Sequence, residues 1–399
     1  MSKASIRRHI HPFPARMAPD IALGKITELA AAGDRVLDPM CGSGTVVRLA
    51  AAHGCVALGT DLDPLAVLIT RTAAIGQWSG SLPDRANAIV ARAKRLSAKR
   101  PEWIARDPET SDFVDYWFAS QQADDLSRLA RVLKERPRTD DPLRVALSRL
   151  IITKDGGASL ARDTAHSRPH RTRISNEYDV FEGFVQAAGW IAKLAADEAS
   201  EYRPQIRRSD ARHLGFIRPA SIDLVVTSPP YLNAIDYLRG HRMSLVWFGW
   251  TIPDLRTLRG TTVGAERGLA KLSDPLRGLA RAGTPLLDEL NRRQRRLVYR
   301  FTKDAHDFCR AVARVVKPGG TLVLVVADSR LGGIPIANSR ICVAAARHHG
   351  FSVVNRQVRQ IPARHRYLPP PSNASNALDK RMKQETVYTL SRNECRSVS

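Results

Sequence analysis

The chain has 399 residues, 43% of them hydrophobic, which is enough to bury a sizeable core and too many for a disordered polymer. Sixty-two lysines and arginines against 39 acidic residues leave a formal charge of +23, which favours a polyanionic partner, nucleic acid first, over an acidic or neutral one. The five cysteines form no CxxC pair, and no apolar run reaches the roughly 18 residues that cross a bilayer, so the sequence offers neither a disulfide framework nor a membrane anchor and fits a reducing cytoplasm.

In chain order, the first readable unit is a buried-strand pattern at Arg35 to Pro39, a glycine turn, and an apolar helical run from Thr45 to His53. A second strand follows at Cys55 to Asp61, then a helix from Asp63 to Ile75 with an acidic cap and Pro64 at its first position. This alternation argues for a parallel sheet covered by helices. From about Gly80 to Glu201 the pattern is mostly helical, broken by a turn-rich basic segment at Lys154 to Ile174, and reads as an insertion. Strand patterns resume at Ser221 to Ser228, Thr321 to Asp328, Phe351 to Arg356 and Glu385 to Leu390, and a helix from Lys303 to Val316 is expected to stop at Lys317-Pro318-Gly319-Gly320. A smaller basic insertion runs from Gly249 to about Tyr299 and includes Arg292, Arg293, Arg295 and Arg296.

Two motifs carry chemistry. Asp38-Pro39-Met40-Cys41-Gly42-Ser43-Gly44-Thr45 follows the first strand, and Gly42 and Gly44 let the backbone turn tightly beneath a ligand at a helix N-terminus. Val47 stands where a dinucleotide fingerprint has its third glycine, and no Gly-Lys-Ser/Thr follows, which disfavours nicotinamide and nucleoside-triphosphate sites. Asp61 ends the second strand where a carboxylate can accept hydrogen bonds from two ribose hydroxyls, while Asp63 reads as the cap of the next helix. The second motif, Thr227-Ser228-Pro229-Pro230-Tyr231, ends an apolar strand in a stiff turn. Such a turn presents the Ser228 hydroxyl and a backbone carbonyl to a planar amine, with the Tyr231 ring free to stack on the base that carries it.

These residues resemble the amino-methylating DNA methyltransferases, specifically the N4-cytosine branch, where Ser-Pro-Pro-Tyr follows the fourth strand of an S-adenosylmethionine-dependent fold; the N6-adenine branch usually has Asp or Asn where this chain has Ser228. The resemblance implies an α/β fold: a doubly wound, mostly parallel seven-stranded sheet, class I methyltransferase-like and Rossmann-like, with helical and loop insertions. It implies S-adenosyl-L-methionine as methyl donor with no metal, double-stranded DNA as partner, and a cognate restriction endonuclease as a further partner. On this likeness Ser228, Pro229, Pro230 and Tyr231 are the catalytic corner. Asp38, Pro39, Cys41, Gly42, Gly44, Thr45 and Asp61 hold the cofactor. Phe13, Pro14 and Arg16, within His11-Pro12-Phe13-Pro14-Ala15-Arg16-Met17, match the family's N-terminal cofactor motif, and Asp210 and Ala211 match the segment that meets the adenine. Asn233 to Trp247 resembles the family's continuation after its catalytic turn.

The expected organisation is 1–79 as N-terminal motif and cofactor half, 80–205 as a mostly helical insertion for target recognition, 206–248 with 300–399 as the catalytic half, and 249–299 as a basic DNA-contacting insertion. Arg162, His166, Arg168, His170 and Arg171 in the first insertion, and the arginines from Arg256 to Arg300 in the second, are candidates to read bases or phosphates. Arg364, Arg366, Lys380, Arg381 and Lys383 are expected to track the backbone. Carbon-5 methylation is disfavoured, because it needs a nucleophilic thiolate and no Pro-Cys motif follows a strand. N6-adenine methylation of DNA, methylation of an RNA amine, and a nucleic-acid-binding relative without turnover stay open as alternatives.

Overall fold

The computed structural model describes residues 9–13, 17–75, 80–135, 139–153, 156–162, 164, 169–195, 202–232, 237–265, 269–361 and 384–394. Within these, α1 (Pro19–Leu29) precedes the first βα units: β1 (Arg35–Asp38), α2 (Thr45–Ala52), β2 (Val56–Asp61) and α3 (Pro64–Ile75). A helical stretch follows: α4 (Leu82–Lys94), α5 (Glu102–Ala105), α6 (Pro108–Trp117), α7 (Ser120–Lys134), α8 (Asp141–Ile151), a small ribbon of β3 (Ala161–Arg162) and β4 (His170–Arg171), and α9 (Val180–Ala195). The chain returns to the sheet through β5 (Gln205–Arg208) and β6 (Ile222–Thr227), then runs through α10 (Tyr237–Leu245), α11 (Ile252–Thr261), α12 (Asp274–Gly283) and α13 (Arg292–Val315). It ends with β7 (Val316–Val326), the ribbon β8 (Ser329–Leu331) and β9 (Ile334–Ile336), α14 (Asn338–His348), β10 (Phe351–Gln360) and β11 (Gln384–Arg392).

Seven strands form one sheet in the order β10-β11-β7-β6-β1-β2-β5. β5, β2, β1, β6 and β7 are parallel, and β11 runs antiparallel to both of its neighbours. This is the doubly wound, mostly parallel seven-stranded sheet that the sequence led us to expect. Apolar residues occupy both faces of its central strands, as a sheet covered on two sides requires. Val36, Leu224, Val226 and Val323 pack with Ile26, Val46 and Leu49 of α1 and α2, whereas Leu37, Val225, Leu322 and Leu324 pack with Phe308, Val312 and Ile341 of α13 and α14.

From β1 the chain proceeds outward to β2 and β5, and then crosses back to β6 on the other side of β1. Ligand crevices in such sheets lie beyond the carboxyl ends of the strands at this reversal. Both sequence motifs fall at that point.

The helices α4 to α9 share one apolar cluster with α3, α10 and α11, so the stretch read as an insertion is fused to the sheet-bearing body through a continuous core. It also holds the N-terminal segment. His11 Nε2 lies 2.9 Å from Ser148 Oγ, and the Arg149 guanidinium donates to the Ile10 carbonyl at 2.7 Å, both partners being on α8.

The helix stops where expected, at Val315, but the turn expected after it is corrected. Lys317-Pro318-Gly319-Gly320 is not a separate turn between helix and strand: β7 begins at Val316, and these four residues lie within the strand as an irregularity. Ile222 pairs with Val316 and Leu224 with Thr321, so the extra residues are absorbed by a register shift. Furthermore, α13 starts at Arg292 rather than Lys303, set by a capping box in which Asn291 accepts from the Gln294 N–H and the Gln294 side chain accepts from the Asn291 N–H.

Candidate active site

The glycine turn is fixed from behind. The Cys41 N–H donates to the Thr60 carbonyl at 2.8 Å, the Thr60 hydroxyl to the Pro39 carbonyl at 2.8 Å, and the Gly44 N–H to the Cys41 carbonyl at 2.7 Å. Gly42 and Gly44 take φ of +50° and +80°, a region costly for residues with a Cβ. Close helix–strand packing, which a third glycine would allow at position 47, is achieved from the other side: a Cβ on Gly59 of β2 would lie 2.7 Å from Val47 Cγ2. The small residue has moved from helix to strand.

Asp61 joins this turn to the next. Its Oδ2 accepts from the Gly42 N–H and its Oδ1 from the Asp63 N–H, both at 2.9 Å. Burial, with the charge of Asp63 second, raises its pKa to about 6. An ionised carboxylate offers about four lone-pair sites, so acceptor capacity remains toward the cleft. Asp63 caps α3 through the Leu65 N–H at 2.8 Å and also holds Nδ1 of the buried His241 on α10.

The second motif meets the first through Thr227. Its buried hydroxyl donates to Asp38 Oδ1 at 2.8 Å, tying the end of β6 to the end of β1. Burial raises the Asp38 pKa to about 7, against the opposing hydrogen bonds from Thr227 and the Met40 N–H. The Ser228 and Tyr231 hydroxyls lie 3.1 Å apart, and the phenol is pushed upward in pKa, chiefly by its burial. A buried tyrosine hydroxyl needs a partner, and this one also makes a backbone hydrogen bond with Ala327 at the end of β7. The Tyr231 ring is therefore packed against the core that includes α13 while still lining the cleft.

One cleft is lined by both motifs. Asp38, Pro39, Cys41, Gly42, Thr45 and Asp61 form one wall, and Ser228, Pro230 and Tyr231 another. Phe13, Asp210 and Ala211 line it as well. Gly44 and Pro229 are not among its lining residues: Gly44 backs onto Thr70, and Pro229 is buried. Pro14 and Arg16 lie outside the described residues, as do His166, Arg168, Arg364, Arg366, Lys380, Arg381 and Lys383.

Three features escaped the sequence. Phe13 stacks on Tyr237 at 5.4 Å between ring centroids, and His241 tilts against Phe13 at 5.1 Å, so α10 seats the N-terminal segment. Arg259, Thr262, Val263, Gly264 and Leu297 line the cleft, bringing the second insertion over it. Finally, Asp210 is engaged by Arg212 through both carboxylate oxygens, and Arg212 in turn reaches Asp304, which also accepts from Arg300 and the Gly264 N–H. Burial opposes ionisation of Asp210, but the hydrogen bonds and charge of Arg212 outweigh it and hold the carboxyl below its usual range. The network fixes the Gly264 loop at the cleft mouth. Asp210 with Arg212 and Arg300 with Asp304 are local pairs, but Arg212 and Asp304 are 92 residues apart and only the fold joins them.

The buried thiols of Cys41 and Cys309 are both raised well above the usual range, chiefly by desolvation. Neither is a ready thiolate. Among the described residues no helix is long and apolar enough to cross a membrane.

No family model matches the chain. It is similar to the type II methyltransferase M.MvaI of Kocuria varians, at 20% identity over 400 residues covering 92% of this chain and 86% of that protein. Similar solved structures include a SAM-dependent methyltransferase from Methanosarcina mazei, with 10% identity, 96% of this chain and 100% of that one covered, and a TM-score of 0.35. A TehB-like SAM-dependent methyltransferase from Corynebacterium glutamicum gives 9% identity, 98% and 92% coverage, and a TM-score of 0.32. The class I methyltransferase-like, Rossmann-like fold rests on the order and direction of this chain's own strands.

Proposed function

We propose that the chain is an S-adenosylmethionine-dependent DNA methyltransferase that modifies the exocyclic N4 amine of cytosine within a short site, in the cytoplasm and alongside a restriction endonuclease of the same specificity. One observation carries this reading: the glycine turn and the Ser228 corner line a single cleft and are bonded through Asp38 and Thr227. The likeness to a type II methyltransferase over most of both chains supports it.

The donor set suits S-adenosylmethionine. Asp61 offers a carboxylate to ribose hydroxyls, the glycine turn gives close backbone approach, and Phe13 and Ala211 supply apolar surface. Bound there, the cofactor supplies a methyl group activated by its sulfonium charge. The cytosine amine is a poor nucleophile because its lone pair is delocalised into the ring. Ser228 Oγ, which lines the cleft, and a backbone carbonyl of the same corner accept hydrogen bonds from it and draw the nitrogen toward tetrahedral geometry, while the cleft aligns it with the methyl group. Tyr231, fixed by Ser228 and Ala327, holds the ring plane against which the flipped base rests. Ser228 is a weak base, so the amine proton leaves after transfer, to solvent.

The second insertion contacts the DNA backbone: Lys271, Arg277, Arg292, Arg295, Arg296 and Tyr299 line a cavity on the face of α13 adjoining Leu297, which itself lines the cleft. The helical stretch 80–205 is assigned to target recognition. Methylation-sensitive sequencing of DNA from cells expressing or lacking the chain tests the proposal. N4-methylcytosine at one recurring context is the expected result; modification confined to adenine, or none, overturns it.

A further inference from the structure

Where α14 ends ahead of β10, three histidines converge. His306 lies nine residues beyond Leu297 on α13, about 14 Å along the helix axis from the cleft-lining residue. His348 ends α14 and His349 follows it, one residue, Gly350, ahead of the start of β10 at Phe351. One ring nitrogen from each lies within 4.8 Å of the others, and the ring centroids are 4.5 to 5.4 Å apart.

We propose that His306, His348 and His349 form a binding site for a first-row transition-metal dication of the zinc class, clipping α13 to α14. Imidazole nitrogen suits these metals and not magnesium or calcium. Zinc–nitrogen bonds of about 2.0 to 2.1 Å require the three nitrogens to close inward, which rotation of the exposed His348 ring permits. Three further observations point to a cation. Nε2 of His349 is a buried nitrogen with no hydrogen-bond partner. His306 Nδ1 lies 3.3 Å from Asp307 Oδ1, the carboxylate–histidine pairing that orients a metal-binding ring and leaves its Nε2 as the ligand. The last carbonyls of α14 place partial negative charge beside His348 and His349. The guanidiniums of Arg310 and Arg392 also lie near His349. Those two guanidiniums work against a bare dication and favour an anionic fourth ligand such as hydroxide or chloride. The site is independent of the methyl-transfer reading, which uses no metal.

Zinc titration by calorimetry and thermal unfolding, on the full-length, tag-free chain stripped with chelator, tests the site. One zinc per chain is expected, with a rise in Tm that chelator reverses, and His306→Gln should weaken binding by tenfold or more. The substitution His348→Gln, at an exposed ring that leaves the fold untouched, should do the same. Cobalt should show visible bands of nitrogen coordination in the wild type and lose them in both variants. Failure of the wild type to bind zinc, or equal binding by wild type and His348→Gln, overturns the proposal.

Discussion

The Thr227 hydroxyl donates to Asp38 Oδ1 at 2.8 Å across 189 residues of sequence, and this bond fastens the corner that begins at Ser228 to the turn that begins at Pro39. Both groups are buried, Thr227 completely, so the hydroxyl cannot exchange its partner for water. Replacing Thr227 with valine keeps the shape and removes the donor, leaving a buried carboxylate oxygen short of a partner, at a cost of about 1–3 kcal/mol. Urea unfolding should show that loss for Thr227→Val and near-wild-type stability for Thr227→Ser.

Asp38 also sets a pH dependence. Its folded pKa, about 7, lies above the ordinary 3.8, so between those values the folded chain holds a proton that the unfolded chain has released. Stability from this group is therefore fully present below about pH 4 and is lost as pH rises toward 7, an effect on the order of a few kcal/mol. Asp61, raised to about 6, acts in the same direction over a narrower window. Unfolding free energies measured from pH 4.5 to 7.5 should fall less steeply in Asp38→Asn than in the wild type.

Gly59 and Val47 form a size-matched pair. A Cβ at Gly59 would stand 2.7 Å from Val47 Cγ2 in a fully packed layer, so Gly59→Ala should destabilise by about 1–3 kcal/mol. The double variant Gly59→Ala/Val47→Ala should recover part of that loss. A double-mutant cycle from chemical denaturation measures the coupling directly.

The arginine face of α13 gives a separable prediction. Arg292→Gln with Arg296→Gln should weaken DNA binding uniformly across sequences and flatten its dependence on salt by about 0.9 in log–log slope for each phosphate that the variant no longer neutralises. S-adenosylmethionine affinity should not change. Fluorescence anisotropy from about 50 to 300 mM salt, the range over which counterion release is steep, paired with cofactor calorimetry, checks both halves.

What the sequence disclosed were features encoded locally. The strand ending in Asp38, the two glycines after it, Asp61 and the proline corner are contiguous signals, and the structure lines one cleft with nearly all of them. The strand β5 was not legible, because Gln205–Arg208 carries no apolar alternation and joins the sheet at its edge through backbone pairing to β2. The first turns of α13 were hidden by Arg292 to Arg296, whose charges mask the apolar face that begins at Val298 and Phe301. The Asp210–Arg212–Asp304 network and the Phe13–Tyr237–His241 stack depend on residues about 90 to 230 positions apart, and no local pattern records them.

The most direct measurement is a single-turnover reaction with methyl-deuterated S-adenosylmethionine and duplex DNA, followed by digestion to nucleosides and mass analysis, for wild type and Ser228→Ala. Labelled N4-methyldeoxycytidine is the expected product from the wild type, falling by at least a hundredfold in Ser228→Ala while DNA binding and cofactor binding persist. Label found only on adenine, no label at all, or an undiminished yield from Ser228→Ala would contradict the assignment of the cleft.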